Sequence, residues 1–457
     1  MANTYLERII EAGSVGRTFT YSVWFKRTKT GTSTQLWNLS SDDDSSKYIE
    51  IAIKSDDKLD MQFRNGTSGD NGTYIRRIPT RVFRDSNAFY HVVLRFDSTE
   101  SSADDRFRLY INGEQETSFS TSTGTIPQNY VTDLANTGGE HRIGRGSGGN
   151  TGGAYFEGSM SHFHFVDGQS YAPTVFGSTD STTGEWKINT SPSISTANYG
   201  TNGFFILKDG NSVTDQSGNS HNFTVAGGTL TKTEDNPSNV FATANPLDGL
   251  KGSAGILKPT FSNGNLTLSS SAGLNYQTFG TLAVDTGKYY WETKATDCDG
   301  HRVGVFFGDN KVHGGTYYYG ANAFYIHQNG QIYYNGANTV YMSSLSDGDI
   351  VGVALDRTNG HIYLHKNGQY ADGNGNNDQT FANAVSINTK LGVTMPSDIT
   401  YPFFDVYGTA IMDINFGNGY FGTTAVASAG TNTSGNGIFE FDCPVGYTAL
   451  STKGLNL

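Results

Sequence analysis

Cysteine, proline and positive charge are all scarce in this chain of 457 residues. The only two cysteines cannot form a disulfide framework, so the fold has to rest on a buried core. We expect Cys298 and Cys443 to be buried free thiols, with a single bridge between them as the alternative. There are ten prolines beside 57 glycines, the glycines show no period of three, and 13% of the residues are aromatic. These features exclude a collagen-like or low-complexity chain.

The charge balance and the lack of long apolar runs argue against nucleic acid and membrane as partners. The net charge is −12, and both parts are acidic: residues 1–250 carry 21 Lys and Arg against 28 Asp and Glu, and residues 251–457 carry 10 against 15. Neither part has the basic surface that a phosphate backbone requires, so we expect no nucleic-acid binding. No apolar run approaches the roughly 18 residues of a membrane helix, so we expect no membrane insertion.

Helical periodicity is nearly absent, and only TYLERIIEAG (4–13) is compatible with a short helix. Elsewhere, short runs of alternating apolar and polar residues lie between Gly, Asn, Ser and Thr, which predicts antiparallel strands. The clearest runs are FTYSVWFKR (19–27), YIEIAIKS (48–55), KLDMQFR (58–64), FYHVVLRFD (89–97), GKYYWETKA (287–295), RVGVFFGD (302–309), DIVGVALD (349–356) and YPFFDVYG (401–408).

A repeated hairpin indicates two domains. LYINGE (109–114) and IYLHKNGQ (362–369) both alternate and then reach Asn-Gly. That dipeptide suits a type I′ turn, because both central residues need φ > 0. The density of strands is typical of sandwiches. We therefore predict an all-β chain with two antiparallel β-sandwich, jelly-roll-like domains at 1–175 and 259–457. A Ser/Thr/Gly-rich connecting region at 176–258 is expected to pack partly on the first domain.

The second strand-rich block resembles a SPRY domain over about residues 270–450. The family's motifs occur in order as GKYYWE (287–292), VGV (303–305), GDIVGVALD (348–356), KNGQ (366–369), YPFFDVYG (401–408) and INFG (414–417), and FDCPVGYTAL (441–450) is similar to its closing strand. The resemblance implies a protein-recognition sandwich without catalytic activity, whose partner surface is formed by loops at one end.

The first block resembles the concanavalin A-like, laminin-G-like sandwiches. FTYSVWFKRT, FYHVVLRFD, RLYINGE, HRIGRG and YFEGSMSHFHFVDG follow that family's order over roughly residues 1–170. DQSGNSHNFTVAGG (215–228) is similar to a further strand pair of the same family.

Several segments are also similar to structural proteins of tailed bacteriophages, namely YLER, SHFHFVDGQSY, FGSTDSTTGEWK and NPSNVFATANPLD. This resemblance implies a homo-oligomeric virion protein that is assembled in the host cytoplasm and exposed on the particle surface. Its expected partners are other virion proteins and a host-surface glycan or protein. The alternative is a purely structural capsid-decorating or tail component.

The sequence carries no catalytic signature, and we predict that the protein is not an enzyme. Retaining glycoside hydrolysis needs two carboxylates about 5 Å apart. Glu440 and Asp442 come nearest to such a pattern, but they lie in the SPRY-like closing strand. The carboxylates of YIEIAI and KLDMQF are expected to be isolated and to face solvent. His162 and His164 are two apart on a strand, so they share a face, and we expect both to point outward. Two ligands are too few for a metal site.

Calcium is the cofactor that the lectin-like resemblance suggests. One candidate loop is DGNGNND (372–378), but Asn377 stands where an EF-hand loop needs Gly and Asn383 where it needs the bidentate Glu. The other candidate loop is SDDDSS, where the predicted calcium ligands are Asp42, Asp43 and Asp44. For both loops, a solvated loop without a metal is the alternative.

Aromatic loops are the remaining candidate site. The segment HGGTYYYGANAFYIHQNGQIYYNG (313–336) places three tyrosines in succession, and these cannot all point inward because neighbouring strand residues alternate between faces. Exposed Tyr beside Asn and His suits recognition of sugars and proteins. A sheet face covered by a neighbouring subunit is the alternative. The predicted ligand-binding residues are His313, Tyr317, Tyr318, Tyr319, Tyr333, Tyr334 and Asn335.

Overall fold

The computed structural model describes every residue except 1–2, 11–12, 42–46, 66–72, 133, 135–137, 147–153, 209–211, 250, 253–254 and 310–321. The chain forms two compact units. The first comprises residues 1–232 and 236–238, and the second comprises residues 233–235 and 239–457. The predicted connecting region, 176–258, is therefore shared between the two units.

The first unit contains one short helix, α1 (Thr196–Tyr199). Its strands are β1 (Tyr5–Ile9), β2 (Thr18–Arg27), β3 (Thr34–Ser41), β4 (Lys47–Ile53), β5 (Leu59–Asn65), β6 (Thr73–Pro79), β7 (Tyr90–Asp97), β8 (Phe107–Ile111), β9 (Glu114–Glu116), β10 (Phe119–Thr123), β11 (Gly139–Ile143), β12 (Gly158–Asp167), β13 (Gly177–Thr179), β14 (Trp186–Ile188), β15 (Phe204–Ile206) and β16 (Thr224–Ala226).

The second unit also contains one short helix, α2 (Ile387–Leu391). Its strands are β17 (Lys251–Gly252), β18 (Gly255–Ile256), β19 (Thr260–Ser262), β20 (Thr267–Ser269), β21 (Ala272–Phe279), β22 (Lys288–Asp297), β23 (Arg302–Phe307), β24 (Ala323–His327), β25 (Gln331–Tyr334), β26 (Ala337–Val340), β27 (Ile350–Asp356), β28 (His361–Lys366), β29 (Gln369–Ala371), β30 (Asn377–Gln379), β31 (Thr400–Gly408), β32 (Ile411–Asn415), β33 (Tyr420–Phe421), β34 (Thr424–Ala425) and β35 (Thr448–Ala449).

Two antiparallel sheets enclose the core of the first unit. The eight-stranded sheet has the order β10-β6-β5-β4-β3-β11-β1-β16, and the six-stranded sheet has the order β15-β12-β2-β7-β8-β9. Alternate residues of each strand point into a shared core, as Tyr21 and Val23 of β2 and Ile49 and Ile51 of β4 do. The all-β sandwich prediction is confirmed for this unit, including its Asn112–Gly113 turn, where both residues have positive φ.

The segment compatible with a short helix, residues 4–13, contains strand β1 instead. Strand β1 pairs antiparallel with β11 on one side and with β16 on the other. Leu6 points into the core, and Glu7 lies on the outer face of the sheet, where Arg142 of β11 is its cross-strand partner. The partners of β1 lie more than 100 residues away in the chain, so a local pattern does not reveal them.

Residues 171–199 cover the outer face of the six-stranded sheet in the first unit; we call them the cover segment. Phe176 and Tyr199 of this segment pack with Val93 and Val166 of the sheet and with Phe205. The central strands are therefore buried on both faces, by the core on one side and by the cover segment on the other. Nine of the ten residues of β2 are buried. Much of the predicted connecting region is thus an integral layer of this unit.

His162 and His164 do not point to solvent, so that prediction is wrong. They are 7% and 1% exposed, and His162 lies at a bulge where the register of β12 against β2 shifts. The ring of His164 stacks on Phe205 at a centroid distance of 3.8 Å, and its Nδ1 lies 2.9 Å from the hydroxyl of Tyr199. The cover segment contributes to the burial of His164, whose ring also packs on Phe176.

His91 connects the same sheet to the cover segment. Its ring lies between the indoles of Trp24 and Trp186, at centroid distances of 4.6 and 6.0 Å. Trp186 Nε1 donates to His91 Nδ1 at 2.9 Å, so the ring proton sits on Nε2, which donates to Ser22 Oγ at 2.9 Å. Burial lowers the pKa of His91 to about 3, helped by nearby His162.

Acid should weaken the first unit through His91. The folded pKa of His91, about 3, lies below the ordinary value of 6.5. The stability that the neutral His91 ring contributes is therefore fully present above pH 6.5 and is lost as the pH falls towards 3. At pH 4.5 the loss is about 2–3 kcal/mol from this group. Urea unfolding followed by tryptophan fluorescence at pH 7 and 4.5 measures it. His91→Gln cannot take up the proton and should lose correspondingly less stability on acidification; an equal loss would contradict the assignment.

The second unit is also a sandwich of two sheets. One nine-stranded sheet has the order β19-β20-β32-β22-β27-β28-β29-β30, with β35 pairing parallel to β22, and a six-stranded sheet has the order β21-β31-β23-β24-β25-β26. Trp291, Val353, Phe324 and Phe404 meet in the core between them. Both cysteines are buried free thiols, as predicted. No helix in the described part of the chain is long and apolar enough to cross a membrane.

Glu292 of β22 holds the closing segment, residues 436–447, on the outer face of the nine-stranded sheet. One carboxylate oxygen accepts from Phe441 N at 2.8 Å and from the Tyr290 hydroxyl at 3.0 Å. The other accepts from Glu440 N at 2.9 Å and from Asn415 Nδ2 at 3.2 Å. Burial raises the pKa of Glu292 to about 7, while these four donors favour the ionised form.

Glu292→Gln should therefore destabilise the second unit by about 2–4 kcal/mol, because the amide NH₂ would face two hydrogen-bond donors and leave buried N–H groups without an acceptor. Urea unfolding at pH 7.5 measures the loss. Glu440→Gln is the matched control, since the Glu440 side chain accepts from the exposed Ala427 N. Similar stabilities for the two variants would show that the four contacts do not hold the closing segment.

Candidate functional site

Most of the predicted site residues lie outside the described part of the chain. His313, Tyr317, Tyr318 and Tyr319 are among them, as are the predicted calcium ligands Asp42, Asp43 and Asp44. The structure does describe Tyr333, Tyr334 and Asn335, which lie on β25 and in the turn that follows it. The site is therefore built from this part of the second unit.

The three residues lie in different environments. Tyr334 points towards the core and packs edge-on against Phe324 at 4.5 Å. Asn335 has φ 50° and precedes Gly336 with φ 77°, so it serves the tight turn between β25 and β26. Tyr333 points to the outer face of the sheet, where its ring lies parallel to that of Tyr325 at 5.2 Å.

Tyr333 belongs to an aromatic row that crosses the outer face of this six-stranded sheet. The cross-strand positions are Phe279, Phe403, Gly304, Tyr325, Tyr333 and Asn338. Gly304 is required in the row, because a Cβ there would lie 1.9 Å from the Phe324 carbonyl oxygen. The rings of Tyr325 and Phe403 meet across this glycine at 5.9 Å.

Exposure rises along the row towards the edge strand β26. Phe279 and Phe403 are fully buried, Tyr325 is 7% exposed, Tyr333 is half-buried and Asn338 is exposed. The exposed end of the row, together with the neighbouring polar side chains, forms what we call the tyrosine edge. It consists of Tyr325, His327, Gln331, Tyr333 and Asn338.

The polar groups of the tyrosine edge are uncharged at pH 7, and hydrogen bonds orient those of Gln331, Tyr333 and His327. Gln331 Oε1 accepts from Asn329 Nδ2 at 3.0 Å and from the Tyr333 hydroxyl at 3.3 Å. His327 Nδ1 accepts from Asn329 N at 3.2 Å, which leaves the proton on Nε2. Burial lowers the pKa of His327 to about 4, with a further contribution from the Arg302 charge, so the ring is neutral at pH 7.

This arrangement suits recognition. A flat phenol ring, a neutral imidazole donor and two amides can stack against and hydrogen-bond a sugar or a peptide at low entropic cost. None of the five side chains is a carboxylate, so the tyrosine edge lacks the carboxylate pair that retaining glycoside hydrolysis uses.

The acidic residues singled out from the sequence serve local structure. Asp372 accepts from Asn374 N at 2.6 Å and from Asn376 N at 3.0 Å, so its carboxylate closes its own loop. Glu440 and Asp442 accept backbone N–H groups of Ala427 and Thr431. Within the described ranges, no group of three His, Cys, Asp or Glu side chains is suited to hold a metal ion.

The carboxylates of β4 and β5 are not isolated and solvent-facing as expected. Glu50 and Asp60 are 1% and 0% exposed and lie on neighbouring strands. Lys54 Nζ contacts Glu50 at 2.8 Å, and Arg76 binds Asp60 through Nε and Nη2 at 2.9 and 2.7 Å. Their positive partners come from other positions on the same sheet face, which the sequence alone does not pair.

Of the tyrosine edge, sequence reasoning named only Tyr333 and missed the other four members, which are Tyr325, His327, Gln331 and Asn338. A signal was present, since FYIHQNGQIYY reads as a hairpin around Asn329–Gly330. Alternation then places Tyr325, His327 and Tyr333 on one face. Tyr325 and Tyr333 are indeed direct cross-strand partners.

The comparisons with known proteins agree with the architecture. A family model described as the concanavalin A-like lectin/glucanases superfamily, of the laminin-G type, matches residues 7–176. The fold is thus a concanavalin A-like/laminin G sandwich, as predicted, in a nearly all-β chain. Lectin-like, laminin-G and SPRY-type domains commonly bind carbohydrates or proteins. No curated protein matches the chain.

Solved structures similar to the chain include the SPRY domain of human HERC1, with 20% identity over 33% of this chain and 87% of that one and a TM-score of 0.26. Domains LG4-5 of the mouse laminin alpha1 chain match at 8% identity over 97% of this chain and 92% of that one, with a TM-score of 0.30. The CBM40 of Ruminococcus gnavus IT-sialidase, bound to alpha2,3 sialyllactose, matches at 18% identity over 32% and 74%, with a TM-score of 0.24. At such TM-scores none of these similarities bears on function.

The adjacent tyrosines should differ in their effect on stability. Tyr334→Ala removes a ring from the core and should cost about 2–4 kcal/mol. Tyr333→Ala removes one half-buried stacking partner and should cost only about 0.5–1.5 kcal/mol. Urea unfolding of both variants, with Tyr333→Phe as the conservative control, measures the difference. A larger loss for Tyr333→Ala would contradict the orientation of the two rings.

Proposed function

We propose that the protein is a non-enzymatic virion protein of a tailed bacteriophage, whose sandwich modules bind host-surface glycans or partner proteins. The phage assignment is supported by the sequence resemblance of segments such as SHFHFVDGQSY and NPSNVFATANPLD. It places the protein on the particle surface after assembly in the host cytoplasm, as a homo-oligomer beside other virion proteins.

The observation that carries the binding role is the tyrosine edge. It combines the half-buried ring of Tyr333, stacked on Tyr325, with the exposed amide of Asn338. A rigid aromatic surface rimmed by neutral hydrogen-bonding groups matches the requirements of a sugar ring or of an apolar side chain of a partner.

Avidity makes weak sites of this kind useful. A single sugar contact of millimolar affinity corresponds to about −4 kcal/mol. Many copies on one particle can raise the apparent affinity by about 10²–10⁴ without any stronger contact, provided that several sites engage one cell together.

A purely structural role, as a capsid-decorating or tail component, is the second candidate. The edge strand β26 favours it, because in the described part of the chain it pairs only with β25, and three of its four residues are exposed. Such an edge can add a strand from another virion protein. In that case the tyrosine edge would lose its exposure on assembly.

Binding of the full chain to host cells and to a glycan array tests the proposal. Tyr333→Ala should weaken saturable binding about 5- to 30-fold, in line with roughly 1–2 kcal/mol for one stacked aromatic contact. Tyr363→Ala is the matched control, since this half-buried tyrosine packs on Phe381 away from the tyrosine edge. Absence of binding by the folded, wild-type chain would favour the structural role.

A further inference from the structure

Asn-Gly pairs recur throughout this chain, and this dipeptide is prone to spontaneous chemical change. The sequence contains twelve such pairs, and the structure describes both residues in ten of them. Asn is a thermolabile residue. The backbone nitrogen of the next residue can attack the carbon of its side-chain amide, and glycine has no Cβ to hinder that attack. The Asn side chain has to rotate to be attacked, so hydrogen bonds to its amide oppose the reaction.

One of the ten described pairs differs from the others in the hold on its amide. The side-chain amide of Asn335 makes no hydrogen bond with a described residue, and Asn335 is exposed together with Gly336 and Ala337. The side-chain amides of the other nine asparagines all take part in hydrogen bonds. The weakest hold is on exposed Asn374 and buried Asn418, each with one contact of 3.5 Å.

Two of the held asparagines share the backbone conformation of Asn335. Asn112, Asn335 and Asn367 have φ of 49°, 50° and 51°, and each pair closes a two-residue hairpin turn. Asn112 Oδ1 accepts from His91 N at 2.8 Å. Asn367 Oδ1 accepts from the first backbone N–H of β27 at 2.8 Å, and its Nδ2 donates to Asp349 Oδ1 at 2.7 Å. The three turns are therefore alike in backbone and differ in how the amide is held.

The position of the Asn335 turn at a sheet edge lowers the resistance to attack further. Strand β26, which follows the turn, pairs only with β25 in the described part of the chain, and three of its four residues are exposed. Local opening of such an edge costs little free energy. Asn335 can therefore reach the geometry for attack while the sandwich stays folded.

We propose that Asn335 is a site of spontaneous deamidation, which alters the turn between β25 and β26 with time. The Gly336 backbone nitrogen loses its proton to base and attacks Cγ of Asn335. A C–N bond forms and closes a cyclic succinimide, the Cγ–Nδ2 bond breaks, and Nδ2 leaves as ammonia after taking up a proton. Water then opens the ring at either carbonyl and gives aspartate or isoaspartate. The amide is exchanged for a carboxylate, and nothing is oxidised or reduced.

Both products change the surface next to the turn. Aspartate adds a negative charge two residues from Tyr333, beside polar groups that are otherwise uncharged. Isoaspartate also lengthens the main chain by one carbon, so a two-residue turn no longer fits the pairing of Tyr334 with Ala337 and of Tyr333 with Asn338. We expect the pairing between β25 and β26 to weaken. The effect on ligand binding rests on the proposed function, whereas the modification itself does not.

Peptide mapping by mass spectrometry, after storage of the full chain at pH 8.5, tests the proposal. Asn335 should deamidate at least about tenfold faster than Asn112 and Asn367, which is the effect of one good hydrogen bond. Asn374, exposed and held by one long contact, should react next. Storage at pH 6 should slow the reaction, because less of the backbone nitrogen is deprotonated. In guanidinium chloride the hydrogen bonds are lost, and the advantage of Asn335 should disappear.

Asn335→Gly is the matched variant, because Gly-Gly suits the same turn and carries no amide to react. Hydrogen exchange of the β26 amides should become faster during storage of the wild type but not of Asn335→Gly; equal exchange would overturn the predicted weakening of β26. The proposal fails if Asn335 reacts no faster than Asn367 in the folded chain, or if its advantage persists in guanidinium chloride. These measurements need no ligand, so absence of binding to cells or glycans would contradict the proposed function alone.

Discussion

A β-sheet has two faces, and a sandwich buries only one face of each sheet, so the rest of this structure depends on what happens to the four outer faces. Two of them are covered by irregular chain. The cover segment lies on the six-stranded sheet of the first unit, and the closing segment lies on the nine-stranded sheet of the second. The outer face of the six-stranded sheet in the second unit carries the aromatic surface that is proposed for binding.

The two covered faces are held by directional polar contacts as well as by apolar packing. Among the described residues, strands β13 and β14 of the cover segment pair only with each other. No ladder therefore fixes the position of this segment on the sheet that it covers, and packing alone tolerates sliding. His91 and His164 supply fixed hydrogen bonds to Trp186 and Tyr199 in the first unit. Glu292 does the same for two backbone N–H groups in the second. His91, His164 and Glu292 are buried, so a shift of the covering segment would leave an unsatisfied polar atom. This penalty favours one position of the segment on the sheet.

What the sequence predicted correctly is local. Asn-Gly at 112–113 and 367–368 determines two turns by its φ requirement, and alternation in runs such as FYHVVLRFD determines which residues enter the core. What it missed depends on distant chain. β1 is a strand because of β11 and β16, His164 is buried because of the cover segment, and Glu50 is paired through its sheet neighbours. Of the candidate site, Tyr333 follows from alternation, whereas its partner Tyr325 requires the hairpin register to be applied as well.

The order of the segments along the chain has a consequence for synthesis. Strands β2, β7 and β12 precede the residues that cover them, and β22 and β27 end 139 and 80 residues before the closing segment. As the chain leaves the ribosome, most strands of each sandwich are therefore synthesised before the segment that covers the outer face. During that interval Trp24 and Val93, or Tyr290 and Ala354, are open to any apolar surface nearby. The covering segments therefore protect apolar side chains that the sandwich cores leave on the outer faces.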